Sequence, residues 1–147
     1  TDATTLLRPP LLDERGLPAA IRGEAARLSR VAAVPINVSG AEPEPRLAPG
    51  LETTMFRIAQ DALESAIRHP GCTLVRLSLT SANGRTRLQI SDDGREPDPA
   101  AEDGAAALAS ERTEVLRMRA ESVGASIQVS ARLGTGVNVT VQCGESP

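Results

Sequence analysis

Asp61, Ser65 and Arg68 place a carboxylate, a hydroxyl and a guanidinium about one helical turn apart, and a second acid, Asp92, ends an alternating run just before Asp93 and Gly94. Oxygen ligands beside a guanidinium can hold a hydrated divalent cation against a polyphosphate. The same spacing also makes ordinary surface ion pairs, Arg57 with Asp61 and Glu64 with Arg68, and the helix alone favours that simpler use. Asp92 is more informative, because a carboxylate turned toward a core is costly unless something hydrogen-bonds to it. It can read the amino group of a purine, with Gly94 letting a ligand approach the backbone, or it can open a turn together with Asp93. The single histidine, His69, stands before Pro70 at a helix end, where it suits the helix dipole or a phosphate better than general-base work. No spacing supports a Ser-His-Asp triad. Cys72 and Cys143 read most simply as small buried residues.

These residues need elements to position them. Over Leu51 to Pro70 the apolar positions Met55, Phe56, Ile58, Ala59, Ala62, Leu63, Ala66 and Ile67 fill one half of a helical wheel, and Arg57, Asp61, Ser65 and Arg68 stripe the other. Pro70 and Gly71 end that helix. Asn83-Gly84 is a strong two-residue hairpin signal, which sets Ala82 opposite Arg85, Leu79 opposite Leu88 and Leu77 opposite Ile90. The period of two then turns Thr86, Leu88, Ile90 and Asp92 inward and Asp93 outward. A second hairpin closes the chain, with Ile127, Val129 and Ala131 facing Val137, Val139 and Val141 across the turn from Arg132 to Gly136.

Upstream, Pro9 and Pro10 stop any arriving helix, and an extended linker is expected to follow as far as residue 16. Leu17 to Val31 repeats at helical spacing, Pro35 to Ser39 alternates as a strand, and Gly40 to Gly50 is a proline-rich loop. Gly94 to Ala109 has the small, charged composition of a mobile loop, and Ser110 can cap a helix running to about Val123. Three helices and about five strands, four of them in two hairpins, pack most economically as an α/β sandwich, one mixed sheet with helices on one face.

Composition removes several functions. The 147 residues make one domain, and with one Phe, no Trp or Tyr and a net charge of −3 the chain lacks the aromatic platforms and basic excess of nucleic-acid binders. All basic side chains are Arg, so Schiff-base chemistry and a Walker-type lysine are excluded. One His and two distant Cys exclude a His-rich or Cys-rich metal centre, and two cysteines point to a reducing compartment. No apolar run approaches the roughly 20 residues that span a bilayer, so a cytoplasmic piece of something longer, without direct membrane contact, is expected.

Taken in order, LLRPPLLDERGL, RIAQDALESAIRH, ISDDGR and AESVGASIQVSARLGTGVNVTV resemble the ATP-binding catalytic domain of bacterial sensor histidine kinases, in the class similar to the nitrate/nitrite sensors. That resemblance implies the ATPase fold shared with DNA gyrase and the ninety-kilodalton heat-shock chaperone, with residues 17–147 as the catalytic domain and 1–16 as a linker from an upstream dimerising, phosphoaccepting module. It implies ATP and Mg2+ as cofactors, Asp92 on the adenine amino group with Gly94 beside it, and Asp61 orienting or deprotonating groups at the γ-phosphate. Ser65 would take the metal-binding place, Arg68 and His69 would approach the phosphates, and Gly134, Thr135 and Gly136 would form the nucleotide-side glycine turn. Residues 94–109 would be the lid. The partners implied are a histidine on the upstream module and a response regulator, in a homodimeric parent. Asp61 stands where the family has Glu, Ser65 where it has Asn, Glu96 where it has a second Gly, and Val137 where it has Thr. Those departures also leave open a non-catalytic interaction module of the same fold, or a switch kinase of the anti-sigma type.

Overall fold

A computed structural model of the chain describes residues 10–43, 46–95, 100, 104–132 and 136–144. Gly134, Thr135 and residues 96–99 and 101–103 of the expected lid, Glu96 among them, lie outside the described residues, as do the linker residues before Pro10. In chain order the elements are α1 (Pro10–Arg15), α2 (Leu17–Ala32), β1 (Ile36–Gly40), α3 (Pro49–Ala66), β2 (Val75–Ala82), β3 (Arg85–Asp92), α4 (Ala105–Ser122), β4 (Ser126–Arg132) and β5 (Gly136–Gly144). The five strands form one mixed sheet in the order β1-β2-β3-β5-β4, parallel only between β1 and β2.

The central hairpin has the expected register, Ala82 opposite Arg85, Leu79 opposite Leu88 and Leu77 opposite Ile90. Asn83 takes φ +55 and Gly84 φ +78, the two positive angles that a tight turn between twisted strands requires. Thr86, Leu88, Ile90 and Asp92 are all buried, while Asp93 is exposed. On β5, Val137, Val139 and Val141 are buried, and Ile127 and Val129 on the edge strand β4 are half-buried; the side chain of Ala131 lies outside the described set. The helices cover this apolar face, with Met55, Ile58 and Leu63 of α3 and Leu17 and Ile21 of α2 at or below 1% exposure. The opposite face stays polar, with Arg76, Thr80, Arg87, Asn138 and Gln142 exposed.

Two expectations are corrected. Pro10 opens α1 instead of ending helical structure, because a proline at the first helical position lacks only an N–H that has no helical partner there. Leu12 of this short helix is fully buried in the core. Arg46 fastens it: its Nη2 donates both to the Leu12 carbonyl at 2.9 Å and to the buried Glu52 carboxylate at 3.0 Å, and its Nε donates to the other Glu52 oxygen at 2.8 Å. The described helices therefore number four. The last helix also starts earlier than Ser110: α4 begins at Ala105 behind Gly104, whose φ is +76, with no side-chain cap. The Ala-rich stretch before Ser110 has the highest helix propensity available, and it carries the helix six residues further back than a capping serine would.

Candidate functional site: a cleft between two helices and the sheet

Between α3, α4 and the covered face of β3, β4 and β5 runs a cleft of about 280 Å³. From α3 and the turn after it come Ala62, Ser65, Ala66 and His69, spaced to share one stripe of the helix. Ala109, Ser110, Thr113 and Leu116 face them from α4, and Ile90, Asp92, Val129, Val137 and Val139 form the floor. Small residues on α3 open the space, and the apolar floor makes it a slot for a flat ligand with few polar fixings.

Asp92 is the acid of this slot. Its side chain is 3% exposed, and both oxygens are engaged: Oδ1 accepts the Gly94 N–H at 2.8 Å and Oδ2 lies 2.9 Å from His69 Nδ1. Asp93 has a different task on the outer side. It accepts the backbone N–H groups of Thr73 at 2.7 Å and Leu74 at 3.1 Å and the Thr73 hydroxyl, fixing the approach to β2. Those bonds, led by the Thr73 hydroxyl, hold its carboxyl down at about 2. The two neighbouring acids thus divide between them the uses weighed from the sequence, Asp93 tying a turn and Asp92 lying buried in the cleft.

Gly94 is required by packing. A Cβ there would lie 2.7 Å from the His69 Cβ and 3.2 Å from that of Cys72. Arg95 bonds through its N–H to the Pro70 carbonyl at 2.9 Å, so this end of the expected lid is built into the fold. Gly136, at φ +99, is as constrained: a Cβ would fall 1.8 Å from the Asp92 carbonyl oxygen. Cys72 and Cys143 are free thiols, both pushed up by burial, with the Asp92 charge adding to the effect at Cys72.

The remaining expected residues lie around the cleft in unequal positions. Ser65 lines it. Asp61 does not; its Oδ2 accepts Arg119 Nε of α4 at 2.7 Å, a tie between the two helices that flank the cleft. Arg68 lies beyond the helix end, exposed, and is absent from the lining. Thr113 and Arg119 escaped the sequence reading, because only the packing of α4 against α3 brings them to the site. Among the described residues no group of three or more His, Cys, Asp or Glu is gathered to hold a metal ion. Mg2+ does not need one, since it is commonly held through one or two protein oxygens, phosphate and water.

No protein-family model matches the chain. Over 140 residues, 92% of its length, it is 26% identical to the oxygen sensor histidine kinase NreB of Staphylococcus carnosus, of which it spans 38%. The sensor histidine kinase MctS of Rhizobium johnstonii is 31% identical over 88 residues, 60% of this chain and 19% of that protein. In sequence the chain is thus similar to the catalytic part of sensor histidine kinases. Its fold matches the blue-light activated histidine kinase of Erythrobacter litoralis EL346 at a TM-score of 0.70, with 18% identity over 87% of this chain and 41% of that one. Full-length ShkA, solved in complex with AMPPNP, superposes at 0.58 with 18% identity, over 84% of this chain and 29% of that one. The chain spans less than two fifths of the length of the curated relatives it matches. Among its described residues no helix is long and apolar enough to cross a membrane.

Proposed function

We propose that the chain binds Mg-ATP in the α3–α4 cleft and passes the γ-phosphate to a histidine on an upstream helical module, for relay to a response regulator. One observation carries this reading: a buried carboxylate, Asp92, in an otherwise mainly apolar slot, where it can accept a purine amino group. The AMPPNP complex of the structurally similar ShkA supports the same ligand class.

Phosphoryl transfer asks a protein mainly for positioning and charge stabilisation. Asp92 fixes the base, and Val137, Val139 and Ile90 cover its faces and exclude water. Ser65 is the hydroxyl on the α3 side suited to the metal, with Asp61 one turn before it; Mg2+ supplies charge neutralisation at the phosphates when bound. Asp61 orients groups at the γ-phosphate, and Arg119 holds its carboxylate in place. Arg68, Gly134, Thr135 and Gly136 belong to the phosphate side in this reading. The acceptor module docks along α4, where Leu108, Val115 and Met118 are 50, 41 and 67% exposed beside the cleft. The parent is a homodimer, and this domain works on the cytoplasmic side.

Calorimetric titration of Mg-ATP is expected to give saturable binding that Asp92→Asn removes; unchanged binding in Asp92→Asn would refute the adenine assignment. A second reading has its own observation, the engagement of the Asp61 carboxylate by Arg119. It makes the chain a non-catalytic interaction module with degenerate motifs. An intact circular-dichroism spectrum with no binding at millimolar Mg-ATP favours that reading, and gain of binding in Ser65→Asn identifies metal ligation as the missing part.

A further inference from the structure

We infer that His69 is a positioning residue that sets the base selectivity of the cleft, by pinning Asp92 so that it suits the single amino donor of adenine. The inference rests on the nucleotide reading above and adds the selecting residue to it. The His69 side chain is 11% exposed, and its Nδ1 lies 2.9 Å from Asp92 Oδ2 while Gly94 N–H donates to Oδ1 at 2.8 Å. An ionised carboxylate only accepts, so the pin needs a proton on the ring nitrogen that faces it, Nδ1.

Each oxygen of Asp92 therefore already holds one donor, and the carboxylate cannot turn without breaking one of the two bonds. His69 is itself held. Its N–H bonds the Ala66 carbonyl and its carbonyl accepts the Cys72 N–H, both at 3.1 Å. Gly94 closes against its Cβ, with no room for a side chain between them. The two purines ask different things of such an acid. Guanine presents two adjacent donors, N1–H and the 2-amino group, which pair best with both oxygens of a carboxylate free to face them. Adenine presents one amino donor beside the N1 acceptor, and one remaining lone pair of a fixed carboxylate satisfies it. Loss of the imidazole donor frees Oδ2, releases the carboxylate and admits the two-donor edge.

The test is a comparison of ATP and GTP dissociation constants for the whole chain and for His69→Phe and His69→Asn, each with Mg2+. The native chain is expected to prefer ATP. His69→Phe keeps a planar ring without a donor and is expected to lower the ATP-over-GTP preference roughly tenfold, the worth of one hydrogen bond to a charged group. His69→Asn, whose amide can donate to the same oxygen, is expected to recover most of it. Equal weakening of both nucleotides in His69→Phe, with the ratio unchanged, would make His69 merely structural and overturn the inference while leaving the nucleotide reading intact. No nucleotide binding by the native chain would bring down both. A measurement without a variant tests the pin itself. As the only histidine, His69 supplies the only imidazole signals in a 15N spectrum, where a proton on Nδ1 is expected with ATP bound and a bare Nδ1 contradicts the pin.

Discussion

Asp92 and Asp93 show how much one residue's direction decides. Alternation along β3 was enough to turn one inward and the other outward, because a period of two leaves no intermediate choice. Their partners were not legible, since Thr73, His69 and Gly94 reach them through turns that no periodicity describes. For Asp93 the consequence is a pH dependence. Its carboxyl is held at about 2, below the ordinary 3.8, so the stabilisation it gives is complete above 3.8 and is lost as the pH falls toward 2. Thermal melts across that window are expected to show a shallower acid limb for Asp93→Asn than for the native chain, and an identical limb would contradict the Thr73 tie. Packing makes a second prediction at this scale. Gly94→Ala must push aside the His69 and Cys72 Cβ atoms, at a cost of about 1–3 kcal/mol in denaturant unfolding. Gly136→Ala, blocked by backbone and strained at positive φ, is expected to cost more than Gly94→Ala.

At the scale of elements, the amphipathic pattern of α3 and the Asn83-Gly84 turn were legible because each is a local signal that burial reinforces. Helix ends were less so. Pro10 reads as a breaker and acts as a first helical residue, and Ser110 reads as a cap and lies inside α4, since both residue types serve in either place until packing chooses. α1 is short, and by propensity alone it would not persist in water. Leu12 anchors it in the core, and Arg46 joins its carbonyl to Glu52 of α3. Leu12→Ala is therefore expected to destabilise the chain by about 2–5 kcal/mol, the range for a buried leucine truncated in a packed core. A loss below about 0.5 kcal/mol would mean that α1 is an appendage and not part of the fold. The tie between Asp61 and Arg119 joins α3 to α4 in the same manner, but both side chains are partly exposed, and such pairs contribute at most about 1 kcal/mol.

For the whole molecule, the sheet with helices on one face followed from counting elements, whereas the order β1-β2-β3-β5-β4 did not, because the last hairpin can add to either edge without changing a local pattern. The order matters to the site. Inserting β5 between β3 and β4 sets Asp92 opposite Val137 and places Val129 and Val139 side by side on the floor of the cleft. Residues far apart in the chain, Ser65, Asp92, Thr113 and Val137, then line one space, and a ligand seated in the cleft must touch several of them together. Amide chemical-shift mapping of the chain during titration with Mg-ATP tests that most directly. Saturating shifts are expected, centred on Ala62, Ser65, His69, Gly94, Thr113 and Val137, with the exposed sheet face around Arg76 and Arg87 unmoved. Shifts confined to that open face, or no shifts at millimolar nucleotide, would contradict it.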